Sequence, residues 1–89
     1  MYLVAFHIVA PRPPVAPSEA RTLRVALEQA VHAHRCAEHV RVHTTRSGAL
    51  GVLFVLAPGP VEARAHCLSL CAEVLAGEPR LSGWRVTET

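Results

Sequence analysis

Residues 38–57 read EHVRVHTT, RSG, ALGVLFVLA, and this order leaves the backbone few options. In the first part Val40, Val42 and Thr44 alternate with His39, Arg41, His43 and Thr45, the two-residue period of a strand with one buried face. RSG is a turn signal. The last part is apolar in both phases, as in a central strand covered on both sides. Two strands joined by a short turn make a hairpin, and an isolated hairpin is marginal in water. The flanking segments must therefore supply what covers it.

Upstream, YLVAFHIV (2–9) is rich in branched and aromatic residues and reads as a strand. Pro11, Pro13, Pro14 and Pro17 then make a stiff, extended connector. Ser18 is expected to cap a helix, with Glu19 in the first turn facing the helix dipole. Ala20, Leu23, Leu27, Ala30, Val31 and His34 lie on one stripe, and the helix is expected to run to about Arg35. Downstream, Pro60 suits a first helical turn and Gly77 a C-terminal stop, giving a second helix from about Val61 to Ala76. Its expected core stripe is Val61, Ala65, Leu68, Ala72 and Leu75. EPRLSG is a loop, and WRVTET (84–89) is the last strand.

The order is β-α-β-β-α-β, two strand-helix-strand units filling residues 1–89 as one domain. This is the α+β ferredoxin-like arrangement: four antiparallel strands in the order 4-1-3-2 with two helices on one face. Such a fold hosts many functions, so function has to be read from side chains.

The chain has 89 residues, no lysine, no aspartate and no asparagine; its nine cations are all arginine, and the net charge is +2. The lack of Lys and Asn, with a single isoleucine (Ile8), fits a GC-rich genome, so the arginines alone are weak evidence for nucleic-acid binding. Without lysine there is no phosphate-binding P-loop and no Schiff base. Without aspartate there is no calcium hand and no Ser-His-Asp triad. Three cysteines, Cys36, Cys67 and Cys71, fit a reduced, cytoplasmic setting, and no apolar run is long enough to span a membrane. Cys67 and Cys71, four apart on a helix, are expected as partly buried thiols beside Ala63, Leu70 and Val74.

VHAHRCAEHVRVH (31–43) holds four histidines, a cysteine and a glutamate. On the expected elements they separate: His32 and His34 point about 200° apart on a helix, and His39 and His43 stand roughly 13 Å apart on a strand. One subset keeps metal-compatible spacing, Glu28, His32 and Cys36 on one helical face, with His39 past the turn. It matches no structural zinc pattern, which takes four ligands. No cofactor is expected.

The strands carry more information. With Val4, Phe6, Ile8, Val40, Val42, Val52 and Phe54 turned to the helices, the open face of the sheet holds Leu3, Ala5, His7 and Val9 from the first strand. Gly51, Leu53 and Val55 are expected beside them from the third, with Arg41, His43, Arg85 and Thr87 at the rim. An apolar centre with a polar rim is how interfaces are built. Homodimer formation through Leu3, Ala5, Val9, Gly51, Leu53 and Val55 is therefore expected, and Leu53→Glu should separate such a dimer.

The element order over the whole chain resembles the dimeric α/β-barrel family of small monooxygenases and isomerases, which pair through their sheets. That resemblance implies a cofactor-independent enzyme or small-ligand binder, with His7 as acid or base and His43 and Arg41 positioning an anionic substrate. RNA-recognition domains share the fold and read bases with aromatics on strands one and three; the expected open face here has none. MYLVAFHI is similar to the first strand of small CRISPR-adaptation nuclease-fold proteins, but His7 stands near the place of their acidic residue. The leading expectation is a non-enzymatic binding, assembly or regulatory domain, with itself, another protein or a small ligand as partner, no membrane, and nucleic acid as an alternative.

Overall fold

A computed structural model of the chain describes residues 1–87. The elements follow in the order β1 (Tyr2–Val9), α1 (Pro17–Ala33), β2 (Ala37–Thr45), β3 (Gly48–Val55), α2 (Pro60–Gly77), a short 3-10 turn (Pro79–Leu81) and β4 (Arg85–Thr87). All four strands join one antiparallel sheet in the order β2-β3-β1-β4, which is 4-1-3-2 read from the other edge. This is the ferredoxin-like α+β fold. Of the expected last strand, residues 88 and 89 lie outside the described residues.

Local chemistry explains the boundaries. The first helix starts two residues earlier than a Ser18 cap implies. Ala16 is its cap, Pro17 presets the first helical φ, and the Glu19 carboxylate accepts from the Ala16 N–H at 3.0 Å. It ends at Ala33, two residues short of Arg35, where His34 turns extended while its N–H still donates to the Ala30 carbonyl at 3.0 Å. In the hairpin, Arg46 and Ser47 form the turn between paired Thr45 and Gly48. Their carbonyls accept from Val15 and Ala10 at 2.9 and 2.8 Å, tying the proline connector to the hairpin.

The core lies between the helices and one sheet face. Val4, Phe6 and Ile8 of β1 meet Leu23, Leu27 and Val31 of α1 and Ala63, Cys67, Leu70, Cys71 and Leu75 of α2, and Leu81 and Trp84 close one end. Of the stripe expected on α2, Leu75 is buried and Leu68 half-buried, but Val61 is 78% exposed and Ala65 and Ala72 are exposed, so the inner face is rotated from the expected one. The helix is apolar on most sides, so spacing alone could not select its inner face. The stripe that wins is the one carrying the two cysteines.

The third strand also takes the phase opposite to expectation. Leu53 and Val55 are each 1% exposed and lie in the core, and Phe54 is out. The register pairs Phe6 with Gly51, Val4 with Leu53 and Ile8 with Ala49. Phe6 supplies the reason. Its buried ring occupies the space where a side chain at position 51 would stand: a Cβ there would lie 2.8 Å from both Phe6 Cε1 and the Arg41 carbonyl oxygen. Only a glycine opposite Phe6 admits the ring, and that pairing sends Leu50, Val52 and Phe54 to the open face.

Candidate binding face

Because side chains alternate along each strand, the register lays the open face out in rows across the sheet. His39, Phe54 and Leu3 form one end; Arg41, Val52 and Ala5 come next; then His43, Leu50, His7 and Thr87; then Thr45, Gly48, Val9 and Arg85. His39 joins its row through an irregularity between Ala37 and Val40, with its ring edge-on to Phe54 at 6.3 Å and 88°. That is a favourable aromatic geometry.

The centre is apolar and open to solvent. Leu3 is 59% exposed, Leu50 47% and Phe54 36%. Ala5, Val52 and Val9 fill the gaps between them. A shallow depression of about 710 Å³ lies over Ala5, Arg41, His43, Leu50 and Val52, and a second of about 490 Å³ over His39, Arg41, Val52 and Phe54. Of the expected interface residues, Leu3, Ala5 and Val9 are on this face. Gly51, Leu53 and Val55 are not; they face the helices, and Leu50, Val52 and Phe54 take their place. Their signal in the sequence was the same apolar run, read one residue out of phase.

The cations of this face lie at its rim. Arg41 and Arg85 stand at opposite edges, with His7, His39 and His43 between or beside them. Glu38 and His39 share the bulge between core-facing Ala37 and Val40, opposite Phe54, so one carboxylate stands at the His39 corner of the face; the other described glutamates lie on the helices or flank them.

The catalytic candidates are held apart. His7 and His43 share a row, but Leu50 stands between them, two strand spacings or about 10 Å from end to end. Among the described residues no side chain hydrogen-bonds either imidazole; the contact at His7 is to its carbonyl, which accepts from Thr87 Oγ1 at 3.3 Å.

The metal candidates are also dispersed. Glu28 and His32 are exposed on α1, but the helix ends before Cys36, which therefore leaves their face; His39 belongs to the open sheet face. Among the described residues no group of three or more His, Cys, Asp or Glu side chains is placed to hold a metal ion. His34 instead meets Glu73 of α2 at 3.4 Å, a link between the helices that is ionic when the imidazole is protonated. Cys67 and Cys71 are fully buried free thiols. Their mutual hydrogen bond, and then burial, push Cys71 far above the usual thiol range, while the same hydrogen bond, helped by Arg64 and against burial, lowers Cys67.

Comparison with protein-family models finds no match, and neither curated proteins nor solved structures yield one. No helix among the described residues is long and apolar enough to cross a membrane.

Proposed function

We propose that this chain is a small, non-enzymatic binding and assembly domain that pairs with a second copy of itself through the open face of its sheet. The observation that carries the reading is the contiguous apolar centre formed by Leu3, Ala5, Leu50, Val52 and Phe54, ringed by polar and charged side chains. Three strands of eight or nine residues and one of three cover about 400 Å² in projection. Stable interfaces take about 800 Å² of accessible surface from each partner. A face this small associates stably only when nearly all of it, corrugations included, is covered. Another sheet of the same size does that, as in sheet-on-sheet packing. The three free cysteines suit a reducing cytoplasm as the site of action.

Leu50→Glu tests the reading. Leu50 is central on the face and outside the core, so a charge there opposes pairing without touching the fold. The variant should keep the wild-type circular dichroism and elute at half the wild-type mass in light-scattering chromatography. Equal masses for the two proteins would remove this face as the interface.

Phe54 favours a second reading. With Phe54 outward beside His39 and Arg41, the surface has a stacking platform flanked by a cation, elements that hold single-stranded nucleic acid. On that reading a labelled oligonucleotide binds with strongly salt-dependent affinity and Phe54→Ala weakens it. Failure to bind at low salt would end it.

A further inference from the structure

We propose that the chain carries a second binding site, at the β2 edge where α1 begins, and that it takes a small phosphate monoester. The site lies beyond the apolar centre of the open face and is independent of face pairing. A cavity of about 440 Å³ opens there between the first turns of α1 and the end of β2, with Arg21, Arg24, Thr44 and Thr45 in its wall.

Helical spacing explains the convergence. Pro17, Ala20, Arg21 and Arg24 stand at i, i+3, i+4 and i+7 on α1, so they share one stripe. Thr44 and Thr45 end β2 and are half-buried. The turn after them is tied to the connector, where Val15 donates to the Arg46 carbonyl at 2.9 Å, and this holds Val15 in the cavity wall. Among the described residues neither guanidinium is ion-paired and neither threonine hydroxyl has a protein hydrogen-bond partner. Arg12 and Arg46 stand at the same end of the molecule, on the connector and in the turn. Of the nearby carboxylates, Glu19 accepts from the Ala16 N–H at 3.0 Å, and Glu28 is one turn beyond Arg24.

Two guanidinium forks from the helix and two hydroxyls from the strand are donors that arrive from different directions. Arginine forks match phosphoryl oxygens, and the positive end of the α1 dipole lies at the same place. A phosphate monoester offers three terminal oxygens and close to two negative charges. A carboxylate offers two oxygens in one plane and a single charge. The rest of the wall, Val15, Pro17 and Ala20, is apolar and suits a small organic group on the ester oxygen.

Calorimetric titration with phenyl phosphate at low salt tests the site. One probe should bind per chain, more tightly than inorganic phosphate. Arg21→Gln and Arg24→Gln should each weaken it about tenfold or more, the worth of a charge-assisted hydrogen bond. Both arginines are exposed and glutamine keeps the helix propensity, so circular dichroism should show the fold retained; if one variant misfolds, the other decides. Arg85→Gln, at the opposite edge of the sheet, should bind as the wild type does. So should Leu50→Glu, which separates this site from face pairing. No binding at about 10 mM phenyl phosphate, or equal losses for the Arg85 and Arg24 variants, overturns the proposal. Tighter binding of a single-stranded oligonucleotide that Arg24→Gln abolishes also overturns it, since the edge would then read a nucleic-acid backbone.

Discussion

Leu53 and Phe54 are neighbours in one strand, both large and apolar, and the fold assigns them opposite fates. Leu53 is 1% exposed among Val4, the helices and the rest of the core; Phe54 is 36% exposed on the open face. Truncating a buried leucine removes its transfer free energy and leaves a cavity, together about 3–5 kcal/mol. Total stability for a chain of this length is about 4–13 kcal/mol at about 0.05–0.15 kcal/mol per residue. Leu53→Ala therefore removes a large share of it, a fall in Tm of roughly 12 °C or more. Phe54→Ala leaves no sealed cavity, and within a single chain its cost is about 1 kcal/mol or less. The assay is urea unfolding followed by the fluorescence of Trp84, the single tryptophan, which is 6% exposed when folded. Protein concentration is varied tenfold to separate the two origins of stability. The Leu53→Ala loss should not depend on concentration, whereas any Phe54→Ala loss through a dimer should grow with it. Equal, concentration-independent losses would refute the assignment of faces, and with it the Phe6–Gly51 register on which that assignment depends.

Two further outcomes follow from the packing. Gly51→Ala forces a Cβ into the Phe6 ring and should destabilise by about 1–3 kcal/mol, whereas Gly77→Ala, with nothing within 4 Å, should leave stability unchanged or raise it by up to about 1 kcal/mol; chemical denaturation reads both, and the same sign at the two sites would contradict the register. A thiol reagent should modify Cys36 quickly in the native protein and reach Cys67 and Cys71 only after denaturant is added, so rapid modification of all three would mean that α2 does not bury its cysteine stripe.

What the sequence revealed, and what it concealed, follows from where polar residues fall. Polar residues alternate through β2, so its phase was readable from His39 to Thr45. In β1, the Val4, Phe6, Ile8 phase was readable because its large branched and aromatic side chains oppose Ala5 and His7. On α1, the charges at Arg24, Glu28 and His32 marked the solvent side. β3 carries no such marks, and on α2 the exposed stripe of Glu62, His66 and Glu73 leaves an apolar flank on either side to choose between. ALGVLFVLA is apolar in both phases, and α2 has two apolar stripes, so their inner faces are decided by partners distant in the chain. For β3 the partner is Phe6, which requires a glycine opposite, a pairwise constraint that periodicity does not contain. The end of α1 was hidden for a related reason, since neither glycine nor proline marks Ala33. These boundaries decided the candidate sites. Ending the helix at Ala33 removed Cys36 from the Glu28–His32 face. Rephasing β3 moved Leu53 into the core, so Leu53→Glu now disrupts the fold rather than separating a dimer, and Leu50 becomes the position that tests the interface.

The mass of the untagged protein in solution tests the central claim most directly. Sedimentation equilibrium at pH 8 and about 100 μM chain should give twice the 9.6 kDa of one chain. A mass of one chain under those conditions would contradict pairing through the open face.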